Sequence, residues 1–356
     1  MAVYACNASR CLAPIKSDDG QTLFMVGTQL LREANQVYLL EYEADSDSVQ
    51  CISTYEHQHE VWDLAPCPHN QSKLFTCYNT GTDMKATLWE APGGEGGSLQ
   101  ELLTLDSLTS AARRVLWSSD ESSDTVLVTE EDSLSTWSLS AGAAQLAARS
   151  KQESTLHAKL WSATRSPHSQ SDAAALAANQ LSLWDLRTMK QTLTVEQAHS
   201  MPVRDVEYNP RNANILATVG DDAMLRFWDI RKLDECMMEV PAHSHAIWSV
   251  KFSPFHDRLV LTASSDTTAA LWTALSQSVD SNSTENIPPS GAQTLGGWGP
   301  DKEAVDGLAC RVQGHDDSVF GVAWSASDPW CFASLSNDGR VVVSAVPKSE
   351  KYKILL

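Results

Sequence analysis

The sequence predicts an all-β fold in which seven four-stranded blades form a closed ring, a seven-bladed β-propeller. One series of aromatic residues recurs at intervals of 48, 47, 44 and 44 residues: Trp89, Trp137, Trp184, Trp228 and Trp272. A second series recurs at 44, 47 and 44 residues: Trp117, Trp161, Tyr208 and Phe252. A period of about 40–45 residues is typical of a four-stranded propeller blade. Two interleaved series with this period therefore favour one repeat architecture.

The repeats can be aligned directly, since residues 198–210 match residues 242–254 without a gap. Each repeat contains short alternating segments such as Val203–Tyr208, Ile215–Thr218 and Leu225–Asp229. Asn, Asp, Gly and Ser separate these segments, as expected for antiparallel strands joined by tight turns. The first strands of the seven blades are predicted to start near Tyr4, Val61, Arg113, Ala158, Val203, Ile247 and Val319.

The first blade is the least marked one, because Leu23–Gly27 and Gln36–Tyr42 look like strands but carry neither His nor Trp. The strand that closes the ring has two candidates: Lys351–Leu356, or a segment near Val3 donated by the N-terminus. The residues alone leave both alternatives open.

One connection between blades is much longer than the others. Trp272 and His315 are 43 residues apart, whereas Trp228 and His243 are 15 apart. The excess falls in residues 276–306, which are rich in Ser, Asn, Pro and Gly and predict a flexible loop between blades. No second domain is needed, and residues 1–356 are predicted to form a single propeller.

Charge and cysteine usage restrict the class of partner. The net charge is −19, and such an acidic chain repels nucleic acid and anionic lipid, so protein partners are favoured. The eight cysteines form no Cys-x-x-Cys pair, and no apolar run resembles a signal peptide or a membrane helix. These features predict a soluble, cytoplasmic protein that does not insert into membranes.

A polar set recurs in the best repeats and invites comparison with a hydrolase triad. Its members are His199, Thr218, Asp222 and Trp228; His243, Thr262, Asp266 and Trp272; and His315, Ser334 and Asp338. A catalytic triad occurs once in a protein, whereas this set occurs at least three times. The set is therefore interpreted as structural, joining turn, strand and indole within a blade. No catalytic residue is predicted.

Cofactor and metal sites are not predicted either. The histidine pairs His57/His59 and His243/His245 lack the Cys, Asp or Glu ligands that would complete a zinc site. The sequence also has no Gly-x-x-x-x-Gly-Lys-Ser/Thr phosphate loop.

Candidate partner-binding residues lie five positions after the repeated histidines. These positions hold Trp62, Arg204, Trp248 and Phe320, and Asp221 is predicted to flank the same face. Exposed aromatic and Arg side chains are favoured as binding anchors. The alternative is that the aromatic side chains only plug the top of the channel.

The His, Asp and Trp-Asp signature resembles the WD-repeat propellers over about residues 57–346. The chain also resembles the family of EARP- and GARP-interacting WD-repeat proteins, in segments from both ends: Val26–Gln29, Asn35–Val37, Thr76–Asn79, Gly220–Asp222, Ser325–Arg340 and Lys351–Leu356. This resemblance implies a non-enzymatic scaffold that associates with tethering complexes. Those complexes recycle endosomal cargo to the plasma membrane or the trans-Golgi and support the sorting of dense-core vesicle cargo.

The same resemblance implies recruitment to endosomes and the trans-Golgi through EARP or GARP subunits, with a small GTPase as a further possible partner. Outside its complex the chain is expected to be monomeric.

A second functional hypothesis comes from two consecutive Trp-Asp-x-Arg boxes, Trp184-Asp185-x-Arg187 and Trp228-Asp229-x-Arg231. They resemble the motif by which many propellers dock the adaptor of cullin-type ubiquitin ligases. The alternative function is therefore that of a substrate receptor in such a ligase.

Overall fold

The computed structural model has seven four-stranded antiparallel sheets arranged around a central channel, which confirms the predicted seven-bladed propeller. It describes residues 1–31, 33–92, 97–118, 120, 124–140, 143–151, 159–273 and 307–355. Within these ranges the chain forms 28 strands and one helix. No helix in the described ranges has the length and apolar character needed to cross a membrane.

Each blade has four strands, which are named here by their position from the channel outward. The inner strands are β2 (Ser9–Ile15), β6 (Glu60–Cys67), β10 (Ala112–Trp117), β14 (Leu160–Arg165), β18 (Val203–Tyr208), β22 (Ile247–Phe252) and β26 (Val319–Trp324). The second strands are β3 (Thr22–Thr28), β7 (Asn70–Asn79), β11 (Thr125–Glu130), β15 (Asp172–Ala177), β19 (Ile215–Gly220), β23 (Leu259–Ser264) and β27 (Cys331–Ser336).

The two outer positions complete the sheets. The third strands are β4 (Asn35–Glu43), β8 (Met84–Glu90), β12 (Ser133–Ser140), β16 (Gln180–Asp185), β20 (Met224–Asp229), β24 (Thr268–Thr273) and β28 (Arg340–Ala345). The outermost strands are β5 (Ser48–His57), β9 (Gln100–Thr104), β13 (Ala143–Lys151), β17 (Lys190–Val195), β21 (Met238–Pro241), β25 (Gly307–Gln313) and β1 (Ala2–Ala5).

The N-terminus closes the ring. Strand β1 is the outermost strand of the seventh blade and pairs with β28, Ala2 opposite Val343 and Ala5 opposite Arg340. The other candidate, Lys351–Leu356, is not a strand in its described part, because residues Lys348–Leu355 form helix α1. This segment is rich in Lys and Glu, which favour a helix over a strand.

One predicted blade boundary needs correction. The first blade starts at Ser9 and not near Tyr4, because Tyr4 lies in β1 and therefore in the seventh blade. The predicted start of the fourth blade at Ala158 lies outside the described residues, and β14 begins at Leu160. The predicted loop at 276–306 also lies outside them.

The hydrophobic core is divided among the blade interfaces. Each of seven clusters among the described residues joins two neighbouring blades, the last of them joining the seventh blade to the first. Between the fifth and sixth blades, for example, the rings of Phe227 and Phe252 meet edge to face with their centroids 6.1 Å apart. Since every blade face is buried against a neighbour, the blades stabilise one another around the ring.

Candidate functional site: the mouth of the channel

Every inner strand contains a β-bulge near its first residue. The bulged residues are Arg10, Trp62, Arg113, Trp161, Arg204, Trp248 and Phe320. A bulge inserts an unpaired residue and re-aims its side chain. All seven side chains line one pocket at this end of the channel and are partly exposed. They are called the mouth ring below.

Cationic and aromatic side chains alternate around most of the mouth ring. The Arg10 guanidinium carbon lies 4.8 Å from the centroid of Trp62, 4.9 Å from that of Phe320 and 5.9 Å from that of Trp248. Arg204 lies between Trp161 and Trp248, at 4.6 and 4.8 Å. Cation–π contacts of this kind hold both groups in place while leaving their edges available.

Three members of the mouth ring are bonded to the residue that directly follows the second strand of their own blade. Arg204 donates from Nε and Nη2 to the carboxylate of Asp221, at 2.7 and 2.5 Å. Arg113 forms an ion pair with Glu131, and the indole N–H of Trp248 donates to Ser265 Oγ at 2.6 Å. Asp221, which the sequence suggested as a partner-binding residue, therefore already holds Arg204 in its bidentate arrangement.

Three members of the mouth ring were missed from sequence: Arg10, Arg113 and Trp161. The second aromatic series wrongly placed Trp161 beside Tyr208 and Phe252. Trp161 is the bulged residue of β14, and the counterpart of Tyr208 at the end of that strand is Arg165. The spacings of 44 and 47 residues that included Trp161 in the series are thus coincidental. The sequence could have predicted the place of Trp161 in the mouth ring, because Trp161, like Arg204, directly follows the first residue of an inner strand.

A charged layer lies one residue deeper in the channel. Arg114 donates to Asp205 Oδ1 at 2.9 Å and to Ser162 Oγ at 2.8 Å. Burial opposes ionisation of Asp205, but Lys251 and Arg114 outweigh it and lower the pKa of Asp205 to about 2. Burial raises the pKa of Asp63 to about 6, and Arg114 offsets only part of that effect. The deeper layer is therefore a paired ionic network beneath the mouth.

The repeated polar set is fully hydrogen-bonded in the fifth blade. His199 contacts Asp222 Oδ1 through Nδ1 and Thr218 Oγ1 through Nε2, both at 2.8 Å. The indole N–H of Trp228 donates to the same Thr218 oxygen at 2.8 Å. In the sixth blade, matching bonds of 2.8–2.9 Å join His243, Asp266, Thr262 and Trp272.

The seventh blade arranges the set differently. His315 contacts Ser334 Oγ at 2.7 Å, but its Nδ1 reaches Ser336 Oγ, at 2.8 Å, where the other blades have an aspartate. Ser336 in turn donates to Asp338, so the carboxylate of Asp338 is linked to His315 through the Ser336 hydroxyl. Burial lowers the pKa of His315 to about 4.

Sequence reasoning missed variants of the polar set in three other blades. In the second blade, His57 and Trp89 both contact Thr76 Oγ1, at 3.1 and 2.8 Å. In the third and fourth blades the indole instead donates to a serine two residues earlier: Trp137 to Ser135 and Trp184 to Ser182. The Ser-x-Trp pattern of these two blades could have predicted this hydrogen bond from the sequence.

The Trp-Asp-x-Arg boxes lie at the opposite end of the blades from the mouth ring, because their Trp and Asp residues are the last two residues of third strands β16 and β20. Trp184 and Trp228 are buried core residues. Arg231 is held by Asp229, with Nη2 2.7 Å from Oδ2. Arg187 is 81% exposed and lies 3.7 Å from Asp185. Arg187 is thus the more exposed and the more loosely paired of the two arginines.

Metal binding finds no support in the described ranges, where no three His, Cys, Asp or Glu side chains are grouped to hold an ion.

The seven blades, the recurrent His–Thr–Trp bonds and the mouth ring define a protein of the WD-repeat propeller class. A family model for the WD domain, G-beta repeat, matches residues 308–343. The chain belongs to the EIPR1 beta-propeller family, whose model matches residues 3–272.

Relatives of similar length support this assignment. The chain is 32% identical to WD repeat-containing protein DWA2 of Arabidopsis thaliana, over 95% of this chain and 94% of the relative. It is 31% identical to EARP and GARP complex-interacting protein 1 of Homo sapiens, over 98% and 96%. It is 34% identical to the EARP-interacting protein homolog of Dictyostelium discoideum, over 96% and 93%.

Proposed function

We propose that this protein is a non-enzymatic scaffold that binds subunits of EARP- and GARP-type tethering complexes through its mouth ring. In this proposal it acts in endosomal recycling and retrograde trafficking, including the sorting of dense-core vesicle cargo. It is cytoplasmic and reaches endosomes and the trans-Golgi through its partners. Membership of the EIPR1 beta-propeller family and the names of the human and Dictyostelium relatives support this function.

The observation that carries the proposal is the composition of the mouth ring. Trp and Arg are enriched among residues that dominate binding energy at protein interfaces. Six of the seven mouth-ring residues are Trp or Arg, and they converge on one pocket. If the aromatic residues only plugged the channel, their removal would leave partner capture intact.

A scaffold role also accounts for the polar sets. In the fifth and sixth blades the histidine, threonine and tryptophan satisfy one another inside the blade. None of these sets faces the mouth pocket, whose lining includes no histidine among the described residues. Their role is therefore proposed to be structural, with no part in catalysis.

Capture of tethering-complex subunits from cell extract tests the proposal. Trp62→Ala and Trp248→Ala should each weaken capture by about 2 kcal/mol, roughly thirtyfold, as removal of an aromatic hot spot does. The double variant Arg187→Glu/Arg231→Glu, altered at the opposite end of the blades, is the matched control and should capture normally. Circular dichroism checks that each variant is folded. Full capture by both tryptophan variants would refute the mouth ring as the binding surface.

The second candidate function, a substrate receptor of a cullin-type ubiquitin ligase, has one favourable observation. Arg187 projects into solvent beside the end of β16, where a partner could bind it. The same experiment separates the two functions. Recovery of the cullin adaptor with wild type but not with Arg187→Glu/Arg231→Glu, and without tethering subunits, would favour the ligase receptor.

A further inference from the structure

We infer that the mouth ring binds a carboxylate side chain of a partner protein, held by the guanidinium of Arg10 where it lies over the rings of Trp62 and Phe320. This inference rests on the proposed function, because it specifies the partner chemistry of the same surface. It predicts that the contacting segment of the partner is acidic, although the chain itself has a net charge of −19.

Arg10 is enclosed by aromatic rings but lacks a counter-ion. Its guanidinium stacks on Trp62, Trp248 and Phe320. Within the described part of the chain no carboxylate lies within ion-pair distance of it, and no acceptor receives its N–H groups. A guanidinium has five N–H donors arranged to bind a carboxylate with two parallel bonds. A partly dehydrated cation without a counter-ion is stabilised by an anion from outside.

The other cations of the described mouth and channel are already paired. Arg204 is held by Asp221 and Arg113 by Glu131. In the deeper layer, Arg114 and Lys251 share Asp205, at 2.9 and 3.4 Å. The positive charge of Arg10 is therefore the one that the described residues of the pocket leave unbalanced.

Trp62 presents the face of its ring to Arg10, with the guanidinium carbon 4.8 Å from the centroid, and its indole N–H is closed to a ligand from outside. Its Nε1 is buried and has no hydrogen-bond partner, whereas Trp248, its counterpart in the sixth blade, donates to Ser265. A carboxylate has two oxygens and accepts hydrogen bonds from several donors. A cationic or apolar group in this position would leave Arg10 without a counter-ion. The unbalanced charge of Arg10 thus selects an anion.

The test measures binding of a fluorescein-labelled hexaglutamate peptide by anisotropy, with hexaglutamine of the same length as the neutral probe. Wild type should bind hexaglutamate more tightly than hexaglutamine. Arg10→Met keeps an unbranched side chain against the aromatic rings but removes the charge, and should weaken hexaglutamate binding about tenfold or more. Arg187→Met removes an exposed arginine at the opposite end of the blades and should have no effect.

Arg10→Lys provides a second variant, which keeps the charge but loses the two-pronged geometry. It should bind hexaglutamate with an affinity between those of wild type and Arg10→Met. Thermal unfolding followed by circular dichroism verifies the fold of each variant. Equal binding of the two peptides by wild type, no binding of hexaglutamate, or equal binding by Arg10→Met would overturn the inference.

Tethering-complex capture by the same variants separates this inference from the proposed function. Capture that needs Trp62 and Trp248 but not Arg10 would retain the scaffold function and reject the carboxylate. Hexaglutamate binding that needs Arg10, with no tethering subunits captured by wild type, would retain the carboxylate site and reject the proposed partner.

Discussion

At the scale of single residues, one threonine oxygen joins two strands and an interstrand turn in the fifth blade. Thr218 Oγ1 lies 2.8 Å from both His199 Nε2 and Trp228 Nε1, and His199 reaches Asp222 in the turn after β19. All four side chains are buried or nearly so. Each polar atom here would cost free energy if its partner were removed, since water does not replace it.

Replacement of Trp228 tests this arrangement. Trp228→Ala should lower the free energy of unfolding by about 3–5 kcal/mol, because it leaves a large cavity. Trp228→Phe keeps most of the packing and loses only the indole donor, so about 1 kcal/mol is expected. Urea unfolding measures both. Leu193→Ala, on the outer strand β17 with Leu193 51% exposed, is the control and should change stability little. An unaltered Trp228→Ala midpoint would mean that the tryptophan series is not part of the core.

At the scale of elements, the ring is closed by a strand of only four residues, β1. The chain then passes close to the turn between β27 and β28, where Cys6 N–H donates to Gly339 O at 2.9 Å. Gly339 has φ +84°, and a Cβ there would lie 2.1 Å from Asn7 O. Glycine at this position therefore serves both the turn and the close approach of the N-terminal segment.

Two glycine substitutions separate these roles. Gly81 also has a positive φ, +91°, but a Cβ there would meet nothing within 4 Å. Gly81→Ala should cost about 1–2 kcal/mol from backbone strain alone. Gly339→Ala should cost about 2–4 kcal/mol more, because the clash displaces β1 and its hydrogen bonds to β28. Thermal and urea unfolding of both variants give the difference. Equal costs would show that the closing strand tolerates displacement.

At the scale of the whole molecule, the blades are interchangeable in backbone but differ in what they present at the mouth. The seven bulged residues come from every blade, and none of them contributes to the polar sets. In the proposed function, stability and binding therefore depend on different residues of the same repeat. Strands β24 and β25 pair directly on either side of the long connection between them, with Thr273 opposite Gly307.

Shortening that connection tests how far the ring is independent of it. Residues 274–306 can be replaced by the four-residue turn Leu186–Met189, which joins β16 to β17 in the fourth blade. The free energy of unfolding should stay the same or rise by up to about 2 kcal/mol, since a shorter loop costs less entropy to close. A Gly/Ser segment of the original length is the control and should match wild type. A clear loss of stability in both variants would show that the native segment packs on the ring.

The amino-acid sequence by itself determined the number of blades and the repeated polar set. The 44-residue period follows from strands and turns of nearly constant length, and His199, Thr218 and Trp228 recur because each blade repeats the same local hydrogen bonds. These features depend on residues within one blade, so their spacing is preserved along the chain. Sequence also pointed to Trp62, Arg204, Trp248 and Phe320, through their fixed distance from a histidine.

Tertiary structure decided what the sequence left open. Either terminus could have supplied the closing strand, and packing selected β1 while Lys348–Leu355 became a helix. Arg10 has no histidine before it, and Trp161 happened to fit the wrong aromatic series. Both side chains lie at the mouth because of β-bulges, and Arg10 meets Phe320 because closure of the ring brings the seventh blade against the first. Spacing along the chain cannot encode contacts that exist only once the two ends of the ring have met.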